Sequence, residues 1–83
     1  MNTNTDKPLS ERSQSEKDLV TLAAMKKHGW SFIKSLGELY SHADKYDRMI
    51  IRKTWKDAWE NYSEIGEREV GEVGFDAYIG FNK

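Results

Sequence analysis

At 83 residues and without a cysteine, the chain has room for one small domain and can build neither a disulfide framework nor a thiolate zinc site. One third of its residues are charged, yet the formal net charge is −1, which lacks the basic bias of a dedicated nucleic-acid domain. No apolar run approaches the roughly 20 residues that span a bilayer, and the N-terminus has no apolar signal segment, so a cytoplasmic protein away from membranes is expected.

A chain this short seldom draws more than about 3–5 kcal/mol from a single core. Association is therefore expected, as a homo-oligomer, on a larger protein partner, or both.

Residues 1–12 carry Asn, Thr, Asp and Lys around the only proline, Pro8, and read as a disordered lead. Ser13 followed by Glu16 fits a capping box and predicts a helix start. From there Leu22, Met25, Gly29, Phe32, Leu36 and Leu39 recur at steps of three and four, widened by Ile33 and Tyr40, which predicts one amphipathic helix as far as Tyr40. Gly29 lies in that stripe as a weak point, a notch for a closely approaching group, or a kink. Leu19, Ala23 and Trp30 lie about a quarter-turn from the stripe and form a second, smaller ridge.

Ser41-His42-Ala43-Asp44 breaks the rhythm and offers Ser41 as a new N-cap. A second helix is predicted from about His42 to Glu64, with a bent continuous helix as the alternative. Its stripe is Ile51, Trp55, Ala58, Tyr62 and Ile65, and Gly66 is placed to follow its C-terminus. Tyr46, Met49 and Ile50 lie off that stripe, and Trp59 sits at its edge. In the last segment Val73, Phe75, Ala77, Ile79 and Phe81 alternate with Gly74, Asp76, Tyr78 and Gly80. That period of two suits a strand, or an extended arm laid over the helices.

The expected fold is thus all-α: an antiparallel two-helix hairpin over residues 13–66 with an extended, possibly β, arm over 67–83, assembled as an oligomeric helical bundle.

No catalytic motif occurs, and a non-enzymatic protein is expected. Glu38, His42, Asp44 and Asp47 straddle the turn, where a carboxylate or histidine has ordinary capping roles, so neither a metal site nor a cofactor is expected. Lys45, Arg48, Arg52 and Lys56 recur at three, four and four and form a cationic ridge beside Trp59, suited to a polyanion or an acidic protein surface. Glu64, Glu67, Glu69 and Glu72 make the following segment acidic around Arg68. The large apolar residues that a hairpin leaves over are Trp30, Met49, Ile50, Trp59, Phe75, Ile79 and Phe81, and these form the candidate interface.

The phrase Ile51-Arg52-Lys53-Thr54-Trp55 is similar to one found in some large glycosyltransferases, but a chain of this length cannot carry such a fold, and no family is assigned. In size and character the chain resembles small accessory or anti-defence proteins of bacteriophages, a likeness of type rather than of motif. The expected function is that of a small interaction protein, a regulator or inhibitor of a larger complex. The alternative is nucleic-acid or nucleotide binding through the cationic ridge and Trp59.

Overall fold

In the computed structural model residues 12–81 are described, the side chain of Phe81 excepted. They form five helices: α1 Gln14–His28, α2 Ser31–His42, α3 Lys45–Thr54, α4 Lys56–Val73 and α5 Phe75–Phe81. The first starts as its sequence predicts. Ser13 Oγ accepts from Glu16 N and Glu16 returns the contact to Ser13 N, each at 3.2 Å, so two donors that a helix start leaves open are satisfied together.

The two-helix hairpin and the extended arm are not what the chain builds. The expected first helix breaks at Gly29 and Trp30, where both residues are extended. A Cβ at Gly29 would collide with Met25 O and with the side chain of Ile33, so the break lets α2 fold back closely over the end of α1. The expected second helix begins later and bends. Ser41 belongs to the last turn of α2, its hydroxyl donating to Gly37 O at 3.0 Å. The N-cap of α3 is instead Asp44, whose carboxylate accepts from Asp47 N at 2.8 Å. At Trp55 the backbone leaves the helical region (φ −112°, ψ 41°), and α4 sets off with a new phase.

Gly66 does not end the second helix. It lies buried inside α4, where a Cβ would stand 2.6 Å from Val20 Cγ1 and 2.9 Å from Val20 O. Only the missing side chain lets α1 and α4 approach so closely. The helix-ending role falls to Gly74, whose φ of 90° is readily adopted by glycine alone. Beyond it the chain is helical because Phe75, Tyr78 and Ile79 stand at helical steps of three and four. Counting Tyr78 as polar produced the apparent alternation, whereas Tyr78 is among the most deeply buried side chains.

The centre of the fold is α1. Asp18, Val20, Thr21, Ala23, Ala24 and Met25 are all buried, which covers most of its circumference. On one side Met25 joins Ile33, Leu36, Tyr40, Ile51 and Trp59; on the other Val20 and Ala23 join Val70, Phe75 and Tyr78. The second ridge anticipated on the first helix therefore has an internal explanation in part: Ala23 packs under α4 and α5. Thr21 pairs with Ser63 at 2.6 Å and His28 with Glu69 at 2.7 Å, so polar contacts join α1 and α4 on either side of the close approach at Gly66. Residues 1–11 of the expected disordered lead lie outside the described residues. Arg12 is buried, its guanidinium 4.2 Å from the ring centroid of Phe75, and ties the start of α1 to α5.

Candidate interaction face

The interaction face is set by how α3 is clamped. Its inward side carries Arg48, Ile51 and Arg52. Arg48 Nε donates to Tyr40 O at 3.1 Å and its Nη2 to Ser41 O at 3.3 Å, two carbonyls in the last turn of α2, the first of which also accepts from Ala43 N. Arg52 Nη1 donates to the Tyr40 hydroxyl at 2.6 Å, and that hydroxyl donates to Asp18 Oδ2 at 2.7 Å. Gln14 Nε2 supplies the other carboxylate oxygen at 2.8 Å. Burial first, and then the hydrogen bond to Asp18, push the Tyr40 phenol up to about 12, against the opposing influence of Arg52. The phenol therefore stays protonated and can keep donating.

This clamp divides the expected cationic ridge. Arg48 and Arg52 are structural, while Lys45 and Lys56 are exposed, Lys56 lying 3.1 Å from Glu60. That contact raises the Lys56 ammonium above its ordinary range.

With Arg48, Ile51 and Arg52 turned in, Tyr46, Met49, Ile50 and Lys53 face out at helical steps of three, one and three. Tyr46 is 67% exposed, and Met49 and Ile50 are each 44% exposed. Phe32 and Trp55 meet edge to face with ring centroids 5.1 Å apart, and both remain substantially open to solvent. Trp30, at the α1–α2 break, is 74% exposed; Leu39 on α2 is also exposed.

The interface residues anticipated from sequence are thus separated. Trp30, Met49 and Ile50 are exposed; Trp59 and Phe75 belong to the two cores; Ile79 is half-buried against the second core; and the side chain of Phe81 lies outside the described residues. Tyr46, which stands off the predicted stripe with Met49 and Ile50, is exposed with them, and Lys53 completes their row; the exposure of Phe32 and Trp55 is not expected from sequence. Trp55 and Phe32 were given to the hairpin seam because one continuous wheel was carried across the bend. Asp18 was missed as well. Its signal is positional: Asp18, Thr21 and Met25 share one side of α1, so the acid falls on the buried stripe.

Two further features lie away from α3. An open groove of about 510 Å³ runs between α1 and α2, with Ile79 of α5 also lining it. Leu19, Leu22 and Ala23 line it, and Lys26, Lys34 and Glu38 stand among its polar residues. At the junction of α1, α4 and α5, Glu69 accepts from the Tyr78 hydroxyl at 2.7 Å and lies beside His28 Nε2 at the same distance, with Lys27 Nζ at 3.9 Å. Among the described residues no three His, Cys, Asp or Glu side chains gather as a metal site would require, and no helix is long and apolar enough to cross a membrane.

No family model matches the chain, and no curated protein or solved structure shows significant similarity to it.

Proposed function

We propose that this is a non-enzymatic interaction protein, which binds a larger protein assembly through its exposed apolar groups, chiefly the outward face of α3. The observation that carries this reading is the exposure of large apolar groups beside a closed core. At about 150–250 Å² for a fully exposed aromatic side chain, Trp30, Phe32, Tyr46 and Trp55 together leave roughly 500 Å² in water. Leu39, Met49 and Ile50 add to that area. A standard interface takes about 800 Å² from each partner, and apolar exposure on this scale marks contact surface. A face of this kind acts by covering part of its partner, which suits a regulator or inhibitor.

The polyanion alternative is less well supported. Arg48 and Arg52 direct their donors to Tyr40 and Ser41, so half of the ridge is engaged within the chain.

A photo-crosslinking side chain placed at Met49, with the same group at Glu64 on α4 as control, tests the reading in cells that naturally make the protein. A discrete protein adduct is expected from position 49 and not from 64, and Ile50→Glu should remove it. Equal adducts from both positions, or none from 49, would overturn the proposal.

A further inference from the structure

We infer that the occupant of the α3 face is an acidic amphipathic helix: a segment with an apolar stripe bordered by Asp or Glu side chains. The inference rests on the interaction reading above and specifies its partner.

Shape is the first ground. Tyr46, Met49, Ile50 and Lys53 form one row along a ten-residue helix, a ridge of about 11 Å. A second helix laid alongside would bury such a row through side chains spaced at three and four.

Charge is the second ground. With Arg48 and Arg52 engaged inside, the outward cations of α3 are Lys45 and Lys53, and the one acid within the helix, Asp47, sits in the first turn, where the helix dipole already favours it. Lys45 and Lys53 are exposed beside the apolar row. Carboxylates on a partner helix would meet them at the rim, where complementary charge governs selectivity and rate of encounter.

The same bookkeeping disfavours a second copy of the chain. Two α3 faces set together would oppose Lys45 and Lys53 of one copy to the same two lysines of the other. The outward side of α4 supplies acid through Asp57, Glu60, Glu64 and Glu67, all exposed, but brings Asn61 rather than an apolar stripe. A planar anionic membrane would satisfy the lysines, yet it would also meet Asp44 and Asp47 at one end of α3 and Asp57 and Glu60 beyond the other. A narrow helix lying along the row avoids those carboxylates.

The test uses the full chain and a synthetic amphipathic peptide of about four turns, with leucine along its stripe and glutamate beside it. The comparison ligands are the same peptide with lysine for glutamate, and vesicles of phosphatidylcholine with phosphatidylserine. Fluorescence anisotropy should show the acidic peptide binding at least about tenfold more tightly than the lysine peptide. Lys45→Glu with Lys53→Glu should reverse that preference. Tyr46→Ser with Ile50→Ser should abolish binding while the circular dichroism and melting transition persist, because these side chains lie outside the core. Equal affinity for the two peptides, binding of neither, or stronger binding to the vesicles would overturn the inference. If the acidic peptide fails while crosslinking from position 49 persists, the partner class is wrong and the interaction reading stands; if crosslinking is lost too, both fall.

Discussion

The hydroxyl of Tyr40 donates to Asp18 across 2.7 Å, and Arg52 donates to the same hydroxyl across 2.6 Å. One side chain therefore links α1, α2 and α3, and its ring, 4.3 Å from that of Trp59, adds α4. The consequence for function is rotational. By drawing Arg52 inward, with Arg48 on the Tyr40 and Ser41 carbonyls beside it, the link fixes which side of α3 faces the core, and so leaves Tyr46, Met49 and Ile50 in solvent.

Tyr40→Phe removes the hydroxyl from this chain of donors. Asp18 keeps Gln14 but loses its second partner in a buried position, and Arg52 loses its acceptor. A loss of about 1–3 kcal/mol is expected, read by urea denaturation. The difference between the two proteins also depends on pH. The folded phenol is held at about 12 against an ordinary 10.0, so the unfolded chain gives up its proton first. The stabilisation is complete below 10 and is lost as pH rises toward 12, over which range the wild-type and Tyr40→Phe curves should converge.

Gly66→Ala tests the crossing of α1 and α4. Alanine favours a helix interior by about 1 kcal/mol, but its Cβ would enter the space of Val20 Cγ1 and Val20 O. Overpacking of this kind costs about 1–3 kcal/mol, so a net fall in melting temperature is expected. Val20→Ala in the same chain should recover little of it, because the backbone oxygen remains. Were Gly66→Ala to raise the melting temperature, the close approach of the two helices would be wrong.

Local signals in this sequence were legible and phase was not. The Ser13–Glu16 cap is encoded by neighbours in sequence, and the structure reproduces it; of the stripe predicted on one continuous helix, Met25, Ile33, Leu36 and Tyr40 reach the core, whereas Phe32 and Leu39, beyond the break at Gly29 and Trp30, are exposed. The exposure of Met49 and Ile50 followed from their distance to the stripe. The bend at Trp55 left only a weak mark: no glycine or proline stands there, and Thr54 with Asp57 offers a cap pattern that the structure does not use, since Trp55 is the N-cap without a side-chain hydrogen bond. A wheel carried across it put Trp55 in the core and Trp59 at the edge, the reverse of what is found. Gly66 and Gly74 exchanged roles for a related reason. Either suits a helix end by sequence alone, and only the position of Val20 on another helix distinguishes them.

The two tryptophans should differ accordingly. Trp59 is 7% exposed and stacks on Tyr40, so Trp59→Ala is expected to cost about 3–5 kcal/mol. Trp55 is 41% exposed and touches the edge of Phe32, and Trp55→Ala should cost well under half as much. Iodide quenching gives an independent reading. Fluorescence from Trp30 and Trp55 should be quenched readily, and the protected remainder should disappear in Trp59→Phe.

Glu69 makes the junction of α1, α4 and α5 sensitive to acid. Its partial burial alone would raise the carboxyl, but hydrogen bonds from Tyr78 and His28 and the nearby charge of Lys27 hold it below the ordinary 4.5. A carboxyl lowered in the folded state is protonated first in the unfolded chain. Its stabilisation is therefore complete above about 4.5 and is lost as pH falls through the lower folded value. Burial and the hydrogen bond to Glu69 also hold the Tyr78 phenol protonated well above its ordinary value, so this donor persists throughout the acid range. Glu69→Gln should lower stability near neutrality and flatten its acid dependence. Hydrogen exchange should locate the loss: amides of α5, attached through Gly74 and held by Phe75 and Tyr78, should open before those of α2 and α3. If α5 keeps its protection in Glu69→Gln while the first core exchanges faster, the junction is not what holds α5 in place.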